Sequence, residues 1–285
     1  MTARNLPDVV SPDAWLAARK ELLAAEKELT HLRDRVNAER RRLPMMRIDK
    51  PYTFDGPDGV VTLLDLFDGR EQLVMHHFMW LWDVDADGTS HPRDVGCPSC
   101  ASAADHIPEH LRQLHARSTT LVAVSRAPYA KIAPYRERMG WTFPWLSSSG
   151  TDFNYDFHAS LDPKVAPVMV NFSDEAELSA AGTPWGTEWR TPGDLPGISA
   201  FLRVGDEVFH TYSTYERGIQ EFHYGIPYLD LTALGRQEDW EEPHGRAEPL
   251  GLQVGSPNLR YPDEYGSEEY APHGHGHHHG HHHVR

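Results

Sequence analysis

The chain holds two cysteines, Cys97 and Cys100, and they stand together in Cys97-Pro-Ser-Cys100. A cysteine at the start of a helix has its thiolate stabilised by unpaired backbone N–H groups, and a second one a turn later can close a disulfide with it. Cys97 is therefore expected to attack and Cys100 to resolve, with Pro98 setting the first helical turn where no N–H donor is needed. Arg93 would lower the Cys97 pKa and Asp94 would raise it, so the sequence leaves that balance open.

A metal can use the same residue types. A four-thiolate zinc site needs two more cysteines, so zinc would have to recruit histidines such as His77, His91 or His106. Copper is the better fit among metal readings, because Cys97, Cys100 and His77, beside Met75 and Met79, form a soft donor set. In a strand, 75, 77 and 79 share one face and His76 takes the other, so one histidine of the pair at most can join. The competing reading makes His77 a hydrogen-bonded core residue. Separately, His273, His275, His277, His278, His279, His281, His282 and His283 alternate with glycine, a composition that binds nickel, zinc or copper loosely and builds no core.

The elements that would position the pair can be read from pattern. The apolar run Gln72 to Trp80 reads as a buried central strand, the Cys97 helix runs to about Ala116, and Thr119 to Val124 is the next strand, completing a β-α-β unit. Pro128 to Met139 is a helix closed by Gly140, and Trp141 to Leu146 a short strand. Residues 159–196 are rich in Pro, Gly and Ser and read as an insertion. Ile198 to Arg203 and Glu207 to Tyr212 make a hairpin, with a closing helix over Tyr215 to Tyr224.

Ahead of this domain, residues 1–46 form an arm, capped by Ser11, with Pro12 in the first turn and Pro44 beyond its end. Trp15, Leu22, Leu29, Val36 and Leu43 recur every seven residues, with Ala18, Ala25 and Leu32 beside them. That narrow seam suits packing on its own domain or a homodimer through the N-terminal helix. The domain is assigned residues 47–235. Residues 236–285 are acidic, then His-rich, and are expected to be disordered.

With 27 basic and 42 acidic residues, the formal charge of −15 gives no footprint for nucleic acid or an anionic membrane surface. No apolar run long enough to span a bilayer and no secretory leader is seen, which points to a cytoplasmic protein without disulfide scaffolding.

Several motifs together resemble one family. Trp15-Leu-Ala-Ala-Arg-Lys-Glu-Leu-Leu23, Tyr52-x-Phe-Asp-Gly-Pro-Asp-Gly59, Gly96-Cys-Pro-Ser-Cys100, Val124-Ser-Arg-Ala-Pro128, Arg138-Met-Gly-Trp-Thr-Phe-Pro-Trp145, Asp152-Phe-Asn-Tyr-Asp-Phe157, Phe209-His-Thr-Tyr-Ser213 and Asp230-Leu-Thr-x-Leu-Gly-Arg236 occur in the order of the bacterial DUF899 proteins. The resemblance covers roughly residues 10–240. It implies an α/β, thioredoxin-like three-layer sandwich related to the AhpC/TSA group, and by fold analogy a thiol-disulfide oxidoreductase or isomerase acting on an unidentified thiol or disulfide substrate. Peroxiredoxins place a threonine three residues before the reactive cysteine. Here Asp94 stands there, which ranks peroxidase below disulfide exchange. The proline that thioredoxins place before the strand facing the cysteines corresponds to Pro196, slightly early.

Overall fold

The computed structural model describes residues 5–182, 192–222, 225–252, 256 and 258–265. Helix α1 (Pro12–Arg40) opens as expected: the Ser11 side chain accepts from the Ala14 N–H, Pro12 sits in the first turn and Asp13 faces the positive end. Not one of its residues is buried. The strands then follow as β1 (Met46–Arg47), β2 (Thr53–Gly56), β3 (Gly59–Thr62), β4 (Gln72–His77), β5 (Trp80–Val84) and β6 (Ser90–Gly96). Next come α2 (Pro98–Ala104), α3 (Arg112–His115), β7 (Thr119–Ser125), α4 (Tyr129–Met139), β8 (Trp145–Ser147), α5 (Phe153–Asp156), β9 (Ser160–Leu161), β10 (Met169–Val170), β11 (Ser173–Asp174) and α6 (Glu175–Ala180). The remainder is β12 (Gly193–Asp194), β13 (Gly197–Val204), β14 (Glu207–Tyr215), a 3-10 turn Glu216–Phe222, α7 (Gly225–Leu229) and a short 3-10 turn Pro262–Glu264.

Eight strands form one sheet in the order β1-β14-β13-β4-β7-β8-β2-β3. The kernel is β7-β4-β13-β14. There β4 and β7 run parallel, with Met75 opposite Val122, while β13 is antiparallel to both β4 and β14. A cysteine-bearing helix after the first strand, a parallel second strand, then an antiparallel hairpin is the thioredoxin-like arrangement, so the chain has the expected α/β fold. The parallel strands are buried on both faces, as the unbroken apolar texture of Gln72 to Trp80 requires.

Neighbouring residues of β7 divide between two cores. Val122 and Val124 join Leu73, Met75, Phe153, Phe157 and Phe201 on one face, whereas Ala123 joins Phe78, Trp80, Cys100, Ile132, Tyr135, Trp141 and Trp145 on the other. The second face is strongly aromatic and holds the cysteines. Most of its rings meet edge-on or tilted, as Phe78 and Trp145 do with centroids 4.5 Å apart, while Phe143 stacks on Trp141 and Trp145.

Some boundaries differ from the sequence reading. The cysteine helix ends at Ala104 and not near Ala116, because Pro108 excludes helical backbone before it. The polar stretch after Trp80 forms a β5–β6 hairpin, with Asp83 opposite His91. Strand β8 is shorter than Trp141 to Leu146, the closing helix begins as a 3-10 turn, and the Leu195–Pro196 bond is trans. Residues expected to be wholly insertion or disordered also contribute structure: Leu161, Val170 and Leu195 form a small third core, and Pro262–Glu264 is pinned to the body by Arg138. Two Arg138 nitrogens reach the Asp263 carboxylate at 2.7 and 2.9 Å, a bidentate geometry that an acidic segment supplies readily.

Candidate functional site

Cys97 is the residue before α2, in extended backbone (φ −71°, ψ 130°), and Pro98 fixes the first turn. Its own N–H donates to the Met79 carbonyl at 3.0 Å, so the thiol is anchored at the end of the β5–β6 hairpin where the central strand finishes. Gly96 is demanded by that anchoring. A Cβ at this position would lie 2.3 Å from the Phe78 ring and 3.2 Å from the Met79 carbonyl. Cys97 is half-buried and Cys100 is buried, at 2 % exposure.

The two thiols are polarised in opposite directions. Cys97 is lowered to about 6, first by the hydrogen bond from the Cys100 thiol and then, against the opposing effect of burial, by the N–H groups of Cys100 and Ser99 and the Ser99 side chain. Cys100 is raised, because it donates that bond to Cys97, is desolvated, and feels the Cys97 charge and that of Asp194. Neither of the charges flanking the motif is free to tune it: Arg93 donates to Asp83 at 2.7 Å and Lys131 donates to Asp94 at 2.6 Å.

Around the pair stand groups that sequence reasoning did not single out. Asp194 is buried and accepts from the Trp80 N–H at 3.2 Å, the Trp82 indole at 3.0 Å, Arg126 at 3.0 Å and the Ser160 hydroxyl at 2.6 Å. Arg126 also lies 3.9 Å over the Trp82 ring and donates to the Tyr155 hydroxyl at 2.8 Å. Tyr261 donates its hydroxyl to the Gly96 carbonyl at 2.9 Å and meets the Tyr135 ring edge-on, centroids 6.0 Å apart. Burial raises the Tyr261 phenol, and the nearby Cys97 charge raises it further. Tyr135 is buried, its hydroxyl finds no partner among the described residues, and burial holds its proton firmly. Arg126 belongs to Val124-Ser-Arg-Ala-Pro128, whereas Asp194 and Tyr261 stand in segments whose composition reads as insertion and disordered tail.

A family profile described as "Bacterial protein of unknown function (DUF899)" matches residues 4–265. The chain belongs to the DUF899 family. No curated protein matches the sequence. Among solved structures, this DUF899 chain is similar to a mutant PrxQ of Xylella fastidiosa at 13 % identity and TM-score 0.38, covering 62 % of this chain and 88 % of that one. A Peroxiredoxin Q of Xanthomonas campestris gives 12 %, 0.39, 67 % and 98 % in the same order, and a mutant Peroxiredoxin 6 of Arenicola marina 16 %, 0.38, 70 % and 80 %.

In this DUF899 chain the copper set of the sequence reading is not assembled. His77 points to the face opposite the thiols, stacked on Phe153 and Phe157, with its Nε2 2.7 Å from the Ser199 hydroxyl. Strand alternation is the reason: His77 follows Leu73 and Met75 into one core, and His76 takes the thiol side, near Phe78. Burial lowers His77 to about 3, with His76 and His210 adding to the effect, which makes it a neutral core histidine. His91 is exposed and paired with Asp85. No group of three or more metal-ligating side chains occurs among the described residues, and the tail histidines His273 to His283 lie outside them. No described helix is long and apolar enough to cross a membrane.

Proposed function

We propose that this protein exchanges thiols and disulfides through Cys97 and Cys100. The observation that supports it best is the placement of the two thiols, Cys97 half-buried in extended backbone at the start of α2 and Cys100 buried within its first turn, an arrangement that lowers the first and raises the second.

In the reducing direction the Cys97 thiolate attacks one sulfur of a substrate disulfide. A Cys97–substrate disulfide forms and the other substrate sulfur leaves as a thiolate. The charge on Cys97 is then gone, and with it the hydrogen bond and the repulsion that held the Cys100 proton. Cys100 loses that proton to solvent or to the departing thiolate and attacks Cys97. The Cys97–Cys100 disulfide closes, the second substrate thiolate leaves, and two electrons have passed from the pair to the substrate. A substrate dithiol is oxidised by the reverse sequence. The Asp194 charge, paired with Arg126, adds a minor part to the rise of Cys100, whose main causes are the bond to Cys97 and burial.

Turnover of a small disulfide with dithiothreitol as reductant tests the reading. Cys97→Ser should lower the rate to that of dithiothreitol alone, and Cys100→Ser, reduced and then freed of dithiothreitol before the substrate is added, should hold the mixed disulfide, seen as the added mass of the substrate half. Unchanged turnover in Cys97→Ser would overturn it.

A further inference from the structure

Helix α1 presents an apolar seam that no other described residue of the chain covers. Trp15 is 60 % exposed, Leu22 56 %, Leu29 57 %, Leu32 47 % and Val36 41 %, and the 29-residue helix has no buried residue. A helix in water depends on packing of its apolar face for most of its stability, so a seam of this length requires an occupant. Its contacts with the body lie to one side: Arg33 reaches Glu221 at 3.1 Å and the Arg40 guanidinium sits 4.5 Å above the Tyr212 ring. These touch one edge of the seam and leave its face and its other edge open.

The charges on the open edge identify the occupant. Reading Trp15, Leu22, Leu29 and Val36 as the first core position of successive heptads, the residues just before them on the free edge are Ala14, Glu21, Glu28 and Arg35, and the helix ends at Arg40. Acid fills the first half and base the second. In a parallel pair the free edge of one helix meets the other edge of its partner, which sets Glu21 against Glu26 and Arg35 against Arg40, with Glu28 and Arg33 the one match. In an antiparallel pair the free edges meet each other. Glu28 then faces Arg35 of the partner subunit, twice by symmetry. The charges of the other edge are engaged within the chain, Arg19 with Glu26 at 2.7 Å and Arg33 with Glu221 at 3.1 Å. At the centre of that register Leu29 packs on Leu32, with Val36 over Ala25.

We infer that α1 pairs antiparallel with α1 of a second copy of this chain, joined by its heptad seam and the self-complementary Glu28, Arg35 edge. Sedimentation of the full chain should give twice the chain mass at tens of micromolar. Glu28→Arg should return the single-chain mass, and adding Arg35→Glu should restore the doubled mass, which shows that the first change did not merely unfold the helix. In a Cys97→Ser, Cys100→Ser background, oxidation of mixed Glu28→Cys and Arg35→Cys chains should give the cross-linked heterodimer. A single-chain mass for the wild type, a dimer indifferent to the charge reversal, or cross-linking only between like-labelled chains would overturn the inference.

Discussion

The Arg126 guanidinium meets the Asp194 carboxylate at 3.0 Å with side chains 14 % and 1 % exposed, making a near-buried ion pair beside the resolving cysteine. Its partners are mutually dependent, since removing one leaves the other a charge without compensation. Asp194→Ala should therefore cost about 3–5 kcal/mol in urea unfolding. Asp194→Asn, which removes the charge that opposes Cys100 ionisation, should lower the Cys100 pKa when measured by alkylation in a Cys97→Ser chain. A cost under about 1 kcal/mol for the alanine variant would show that the pair does not hold the site.

Gly96→Ala tests how the reactive cysteine is seated. The added methyl meets the Phe78 ring and the Met79 carbonyl, the carbonyl to which the Cys97 N–H donates. Overpacking of this kind costs roughly 1–3 kcal/mol, and here it should also shift the Cys97 titration upward by displacing the thiol from the α2 N–H groups. Thermal unfolding and alkylation on the same sample separate the two effects.

Much of this architecture was legible from pattern. The Gln72 run, the Thr119 strand and the Pro128 to Gly140 helix each carry strong local signals, and Cys97-Pro-Ser-Cys100 shows both the chemistry and the helix start. The misreadings have physical causes. Period alone could not place the end of α2 at Ala104, ahead of Pro108, and although it put His76 and His77 on opposite faces of the strand it could not show which face holds the thiols. Asp194 was illegible because its role depends on Trp80, Trp82, Arg126 and Ser160, which are distant in sequence. Tyr261 was hidden in an acidic, proline-containing stretch whose composition reads as disorder, yet Asp263 and Glu264 there pair with Arg138.

Burial of neutral His77 makes stability fall in acid. Its pKa is about 3 in the folded chain and near 6.5 unfolded, so between those values the unfolded chain binds the extra proton and stability rises with pH. The loss on going from pH 7 to pH 3 attributable to this residue is about 3–5 kcal/mol. His77→Gln should flatten the dependence of the melting temperature on pH below 6.5, at some cost in stability at pH 7. An unchanged slope would assign the acid sensitivity to other groups such as His158 and His210, which burial also lowers.

Tyr261 packs beside the reactive cysteine and is held by the Arg138 ion pairs. Tyr261→Ala or Arg138→Ala should therefore expose Cys97 and raise its alkylation rate at pH 8, where the thiolate is fully formed, by a few-fold. Tyr261→Phe keeps the ring against Tyr135 and loses only the bond to the Gly96 carbonyl, so its effect should be smaller. Equal rates across all variants would mean that the segment does not shield the thiol.

The most direct test of the thiol-exchange account is the pH dependence of alkylation at each cysteine, read by mass spectrometry of the reduced full chain. The Cys97 rate should follow thiolate formation with a midpoint of about 6, rising through that pH and reaching a plateau by about pH 7.5. Cys100 should stay slow across the same range. A Cys97 midpoint at or above about 8.5, the value of an unperturbed thiol, or equal rates at the two cysteines, would contradict the account.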